Sequence, residues 1–337
     1  MANHLRMTAF EHSADLIAAV AQLVIVHDLN EADERGRVER ARQRGDLVNL
    51  SRGVHIAAST WAALSDDDRY RLRSIAAHRL LTPGEVLSHQ SAAALRHLPI
   101  VGDWPRRAES SVICGSGLTS STSLRRHRVV RPPRRELVGR IPVTTLPQTV
   151  VDLAAELPFI SGVTASDAAH RMIESSRDPH QLVAFRAELA EIASSLGKGR
   201  GSARVRRVLG FSDARSESPG ESVTRAALHI LGAPEPVPQH PITGISGRAW
   251  RVDLAWPELG IVLEFDGKSK YTDPRLMAGR TAAEVLYEEK LREDDIRPRV
   301  RAFGRVDWPT VMNLPRLATR VTELGVPLPA RRATVFA

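Results

Sequence analysis

A chain of 337 residues is long enough for two or three domains with cores of their own, and its net charge of +8 favours a polyanionic partner, nucleic acid before membrane. All of its 47 basic residues except Lys198, Lys268, Lys270 and Lys290 are arginine, which forks phosphate and reads guanine edges; GC-rich coding also favours arginine but leaves the net charge unexplained. Cys114 is the sole cysteine, which excludes a disulfide and a cysteine-based zinc site, while the lack of an apolar run of ~18–20 residues or of a signal-peptide pattern in residues 1–26 points to the cytoplasm.

Residues 10–26 predict an amphipathic helix and residues 31–44 a second, charge-rich one that Gly45-Asp46 breaks. Residues 47–56 then alternate around the basic turn Ser51-Arg52-Gly53. Helix, helix, hairpin is the order of a winged helix-turn-helix. In that reading Arg37, Arg40, Arg42 and Arg44 lie on or near the recognition helix, with Arg52 at the wing tip. A small folding module with a solvated charged helix is the competing reading.

Residues 66–99 continue helically, with Ser88 at an N-cap position. His89 and His97 have no acid at ligand spacing, which points to capping or packing rather than metal chemistry. Residues 125–135 are the densest positive run and include Arg125, Arg126, Arg128, Arg134 and Arg135. With few acids nearby and no interleaved aromatic, the run reads as a phosphate-tracking surface without base stacking, ahead of a merely solvated loop. Residues 146–157, 163–175, 179–195 and 202–209 predict helices, and the glycine-rich turn at 197–201 lacks the strand and the Gly-Lys-Ser/Thr of a P-loop.

The richest stretch is 251–268, Arg-Val-Asp-Leu-Ala-Trp-Pro-Glu-Leu-Gly-Ile-Val-Leu-Glu-Phe-Asp-Gly-Lys. Residues 257–260 supply a turn between two strands, the second apolar enough to be buried on both faces. An antiparallel pairing through that turn sets Asp253 opposite Glu264, about 5 Å apart, where like charges repel. Asp266 follows on the same face as Glu264. A hard cation such as Mg²⁺ (or Mn²⁺) would neutralise these acids; the alternative is a solvated face on which each acid has an arginine partner. Ser218-Pro219-Gly220-Glu221 opens a helix before the hairpin, and a capping box accounts for Glu221 without any metal. Gln239 ends a short extended segment that meets phosphate or solvent. Residues 280–296 predict a helix with i,i+4 pairs Glu288–Arg292 and Lys290–Asp294, residues 299–305 a strand and 308–324 a closing helix.

Two resemblances follow from these residues. Val252-Asp253-Leu254-Ala255-Trp256-Pro257-Glu258, followed by Leu263-Glu264-Phe265-Asp266-Gly267, resembles the Vsr-like branch of the PD-(D/E)xK nucleases over roughly residues 215–310. The resemblance implies an α/β endonuclease domain with a metal held by Asp253 and Glu264, helped by Asp266 or by Glu221 from the first helix. It also implies a catalytic lysine; the position two after Glu264 is Asp266, so Lys268 stands in a shifted register and Lys290 on the following helix is the second choice. The hairpin at 47–56, the segment Leu87-Ser88-His89-Gln90-Ser91-Ala92-Ala93-Ala94-Leu95-Arg96-His97-Leu98-Pro99 and the segment Ile141-Pro142-Val143-Thr144-Thr145-Leu146-Pro147-Gln148-Thr149-Val150-Val151-Asp152-Leu153-Ala154 resemble AbiEi-type antitoxin regulators over roughly 10–160. That family implies a winged helix plus an α/β domain and DNA-binding autorepression.

The expectation is therefore an α/β multi-domain chain: a winged helix-turn-helix at 1–62, a central mixed α/β and helical domain at 63–212, and a restriction-endonuclease-like α/β domain at 213–337. The expected function is DNA binding, ahead of RNA, with Mg²⁺-dependent phosphodiester hydrolysis. The alternative is a non-enzymatic antitoxin-like repressor with a degenerate nuclease domain, acting as a homo-oligomer or with a protein partner.

Overall fold

In a computed structural model, which describes residues 14–29, 32–267 and 281–329, the chain is mixed α/β and divides into two compact units. Unit 1 is Met1–Glu156 with Val183–Val205, and unit 2 is Leu157–Leu182 with Arg206–Ala337. The boundaries expected at 62/63 and 212/213 follow changes of local pattern. Compactness instead groups residues 1–62 with the sheet that follows them and gives residues 157–182 to the C-terminal unit. No helix among the described residues is long and apolar enough to cross a membrane.

Unit 1 begins with α1 (Ala14–Ala21), β1 (Val24–Ile25), α2 (Ala32–Arg44), β2 (Leu47–Ser51) and β3 (Val54–Ala57). The strands form a sheet in the order β1-β3-β2. Gly53, at φ +72°, makes the tight turn between β2 and β3. The helix expected through residue 26 thus ends at Ala21, and Val24–Ile25 pairs with His55 and Val54 instead. Leu16, Leu50, Val54, Ile56 and Leu72 pack as one core. Then come α3 (Ala58–Ala63) and α4 (Asp66–Ala77). Ser65 caps α4 by accepting from the Asp68 amide at 3.1 Å, and three aspartates in its first turn suit the positive end of the helix dipole.

The helical reading of residues 66–99 breaks at β4 (Val86–Leu87), which precedes α5 (His89–Leu95). Strands β5 (Ala108–Ile113), β6 (Leu124–Val129), β7 (Arg135–Val138) and β8 (Ile141–Thr144) complete a five-stranded mixed sheet, β6-β5-β4-β8-β7, before α6 (Leu146–Glu156). Its core gathers Leu87, Leu95, Ala108, Leu124 and Val143. The positive run at 125–135 therefore lies largely in β6 and the approach to β7.

The helices α7 (Phe159–Ser175), α8 (Pro179–Ser195) and α9 (Ser202–Phe211) lead to α10 (Pro219–Leu231). Unit 2 then runs β9 (Val237–Thr243), β10 (Ala249–Trp256), β11 (Ile261–Phe265), α11 (Ala282–Ile296) and β12 (Ala302–Val306). The sheet order is β12-β11-β10-β9, with β11 and β12 parallel and the other pairs antiparallel. All five residues of β11 are buried, as its apolar run predicts. The closing helix splits into α12 (Trp308–Val311) and α13 (Leu314–Glu323). Pro315 has no amide to continue α12, and Asn313 restarts the helix by capping the Arg316 amide at 3.0 Å.

Candidate functional site

The site is built on the β10–β11 hairpin. A 3₁₀ turn, Pro257–Leu259, ends at Gly260 with φ +64°, a left-handed conformation that suits glycine. It fixes the pairs Trp256–Ile261, Ala255–Val262 and Leu254–Leu263. The same register, continued by one residue, sets Asp253 opposite Glu264. Asp253 Oδ2 accepts from the Phe265 amide at 2.9 Å, which ties the carboxylate to the end of β11.

Glu221 joins them from the first turn of α10. Ser218 occupies the N-cap and accepts from the Glu221 amide at 3.3 Å; its hydroxyl donates to Glu221 Oε1 at 2.8 Å. Glu221 Oε2 accepts from the Glu217 amide at 3.0 Å and from Gln239 Nε2 at 2.8 Å. The Ser218 half of the expected capping box is present, but the Glu221 carboxylate bonds the amide one residue earlier than the N-cap, and Gln239, held at φ +51°, meets Glu221. Burial and then the charge of Asp253 push the Glu221 carboxyl above its ordinary range. Glu264 is raised as well, by burial and by Asp253, with Arg292 opposing.

Gly220 lets α10 approach the hairpin. A Cβ there would sit 2.1 Å from Phe265 Cε1. Gly220→Ala should therefore destabilise unit 2 by about 1–3 kcal/mol through overpacking, although alanine is the better helix former. A melting temperature equal to or above wild type would show that the helix does not press on that ring.

Arg292, which the spacing pairs with Glu288, crosses from α11 to fork Glu264, at 2.6 Å to Oε1 and 3.4 Å to Oε2. It also donates to the Arg251 carbonyl at 2.5 Å. Lys290, the second candidate for a catalytic lysine, is exposed. Two residues along a helix are a rotation of roughly 200°, so Lys290 leaves α11 on the side away from Arg292. Asp266 is half-buried just past β11, its amide donating to the Val306 carbonyl at 2.8 Å. Lys268 lies outside the described residues.

The arginines singled out for DNA contact divide into two groups. Arg40 and Arg52 are exposed on α2 and at the β2–β3 turn, and Arg135 is exposed at the start of β7. Arg37 lies 4.0 Å from both Asp33 and Glu34, Arg42 forks Glu39, and Arg44 pairs with Asp46 at 2.8 Å. In the 125–135 run, acids distant in sequence close in. Arg126 forks the buried Glu85, Arg125 bonds the buried Glu109 at 3.1 Å, and Arg134 pairs with Glu188 and Glu191. Arg128 reaches the Leu118 carbonyl at 3.4 Å. The premise of few neighbouring acids therefore fails in three dimensions, and Arg125 and Arg126 are partners of Glu109 in β5 and of Glu85 just before β4.

The sequence offers His89 no acid at ligand spacing and points to capping or packing. Ser88 does occupy the N-cap of α5, but its hydroxyl makes no capping bond and instead meets His89 Nδ1 at 2.9 Å. The fold also brings Asp152 and Glu156 to within 3.8 and 3.9 Å of that ring.

No family model matches the chain. It is 29% identical over 163 residues to two uncharacterized Mycobacterium tuberculosis proteins, Rv2248 of strain H37Rv and MT2308 of strain CDC 1551, a match covering 48% of this chain and 56% of each relative. The chain thus spans little more than half the length of these relatives. Among solved structures, the RV2827C protein from Mycobacterium tuberculosis aligns over 59% of this chain and 80% of its own, at 15% identity and a TM-score of 0.32.

Proposed function

We propose that this is a DNA-binding protein whose C-terminal unit hydrolyses phosphodiester bonds with the help of a divalent ion, Mg²⁺ or Mn²⁺. The observation that carries the reading is Asp253 facing Glu264 across a buried hairpin, with burial and the charge of Asp253 raising the Glu221 carboxyl beside them. An all-oxygen donor set of this kind fits a hard cation. The ion, when bound, would polarise the scissile phosphate and lower the pKa of a bound water. Asp253 and Glu264 would hold it, Gln239 and Ser218 would keep Glu221 oriented beside them, and Gly220 would set the helix close enough for all three acids to meet. Lys268 is the residue the sequence puts forward to stabilise charge growing on the phosphate. The PD-(D/E)xK resemblance agrees with the order helix, three strands, helix, strand around this hairpin.

The test is incubation of the full chain with duplex DNA, single-stranded DNA and RNA, in Mg²⁺, in Mn²⁺ and in chelator. Metal-dependent cleavage that disappears in Asp253→Asn, with melting behaviour retained, is the expected result. Equal cleavage by wild type and Asp253→Asn would remove the site.

The second reading, a non-enzymatic repressor of antitoxin type, is favoured by Arg292. Its guanidinium already neutralises Glu264, so the hairpin can keep its acids without a metal. Inertness toward every substrate, with DNA binding intact, would select it.

DNA binding itself is supported by the β1-β3-β2 sheet beside α1 and α2, which agrees with a winged helix, and by exposed Arg40 and Arg52. Each substitution, Arg40→Ala or Arg52→Ala, should weaken duplex binding at low salt and reduce the slope of log affinity against log salt by about 1. Unchanged slopes in both would take the N-terminal region out of the interface.

A further inference from the structure

Unit 1 contains a second group of chemistry-bearing side chains that the proposed nuclease site does not use. His89 starts α5, His127 lies in β6, and Glu156 ends α6. One ligand atom from each falls within 4.8 Å of the other two. His127 Nδ1 is 3.2 Å and His89 Nε2 3.9 Å from Glu156 Oε1. Ligands held 2.0–2.1 Å from a tetrahedral ion are about 3.3 Å from one another, so the three atoms must draw together from their present spread to hold an ion.

The far side of each ring is also furnished. His127 Nε2 is 3.1 Å from Oε1 of Glu109, a carboxylate only 1% exposed. His89 Nδ1 meets the Ser88 hydroxyl and lies 3.8 Å from Asp152 Oδ2, a buried oxygen with no hydrogen-bond partner among the described residues. Gln148 holds the other oxygen of Asp152 at 2.8 Å, and the Gln90 amide holds Glu109 Oε2 at 3.0 Å. A histidine whose outer nitrogen faces a carboxylate while its inner nitrogen faces a third ligand is the arrangement that orients imidazoles on metals.

We propose that His89 Nε2, His127 Nδ1 and one oxygen of Glu156 form a binding site for a first-row divalent transition ion of the Zn²⁺ class. Two imidazoles and one carboxylate suit that class over Mg²⁺ or Ca²⁺. Three protein ligands leave a fourth position for water. Arg125, which lies 3.1 Å from Glu109 and 3.5 Å from Glu156, offsets part of the carboxylate charge gathered here, and a divalent ion would offset more. Glu156 is 39% exposed while both rings are about a tenth exposed, so the ion enters from the Glu156 side.

Loading requires two changes. The imidazoles are stacked, with centroids 3.5 Å apart and planes 12° from parallel, and a metal lies in the plane of each ring it binds. One ring must therefore turn about its Cβ–Cγ bond. His127 must also release a proton to solvent: burial opposes its charge, but hydrogen bonds to Glu109 and Glu156 lift the imidazolium to about 9. His89 is depressed by burial and supplies a neutral ring.

The test uses the full chain in an Asp253→Asn background, so that the carboxylate hairpin does not contribute and the outcome does not depend on nuclease activity. Zn²⁺ and Co²⁺ are titrated by calorimetry and visible absorption. One ion per chain and the d–d bands of tetrahedral Co²⁺ are expected. His127→Gln and Glu156→Gln should abolish those bands; Glu109→Gln, which touches only the outer nitrogen, should weaken Zn²⁺ binding ~10–100-fold. His180→Gln, at an exposed histidine, should change nothing. Zn²⁺ uptake of unchanged affinity in His89→Gln and His127→Gln would overturn the assignment. Should those variants fail to fold, the wild-type spectrum decides: absent or octahedral bands overturn it equally.

Discussion

Asp167→Ala should lower the unfolding free energy of unit 2 by about 3–5 kcal/mol, the range for removing one partner of a buried ion pair. Asp167 on α7 and Arg225 on α10 are each 1% exposed, and Asp167 Oδ2 accepts from Arg225 at 3.0 Å. The Asp213 amide donates to the other carboxylate oxygen at 2.8 Å, so the aspartate joins α7, α10 and the segment before α10. An arginine cannot escape by losing its proton. Without Asp167 the guanidinium would keep a bond to the Phe211 carbonyl at 3.0 Å and the face of the Phe211 ring at 4.4 Å, neither of which carries a formal negative charge. Glu235, 4.0 Å away and 73% exposed, is too well solvated to replace it. Asp167→Leu combined with Arg225→Met should recover most of the loss, because an apolar pair of similar volume removes the desolvation problem. Denaturant unfolding checks both; a single variant within about 1 kcal/mol of wild type would show that water reaches the pair. Arg225 stands one helical turn after Glu221, so the same pair fixes the register of the helix that carries an acid of the candidate site.

The hairpin was legible in the sequence because its signals are local. A turn of four residues fixes a register, and the register fixes which acids face each other. The N-cap at Ser218 is local in the same sense, although the Glu221 carboxylate returns to the Glu217 amide and not to that of Ser218, so the reciprocal half of the capping box does not form. Arg292 was not legible. Its spacing from Glu288 offers a plausible helical pair, and nothing in the sequence says that β11 passes beside α11 at that point. The five-stranded sheet was missed for another reason: β5 and β6 lack an apolar alternation. Glu109 and Ser110 are buried in β5 because each has a polar partner, and β6 presents Leu124 to the core with arginines and a histidine around it. Long-range charge pairing replaces apolar pattern there. That also explains why Arg125 and Arg126 read as a free basic surface, and why His89 and His127, 38 positions apart in sequence, gave no ligand spacing.

Arg292→Gln should separate the two readings of the C-terminal unit. In chelator the variant should lose roughly 2–4 kcal/mol of stability, somewhat less than a buried pair with no escape, because Glu264 can take up a proton in place of its lost counter-charge. Glu264 is 4% exposed and faces Asp253, so an uncompensated charge there is costly. A divalent ion held by Glu264 and Asp253 would supply the missing charge, and ligand at a hundred times its dissociation constant stabilises by about 2.7 kcal/mol. Mn²⁺ or Mg²⁺ should therefore raise the melting temperature of Arg292→Gln by more than it raises that of wild type, where the guanidinium competes for the same carboxylate oxygens. In Glu264→Gln combined with Arg292→Gln, both the deficit in chelator and the response to metal should disappear. A single variant that is destabilised yet indifferent to either ion would leave Arg292 as the permanent counter-charge of Glu264, and the hairpin as the core of a repressor rather than the metal site of a nuclease.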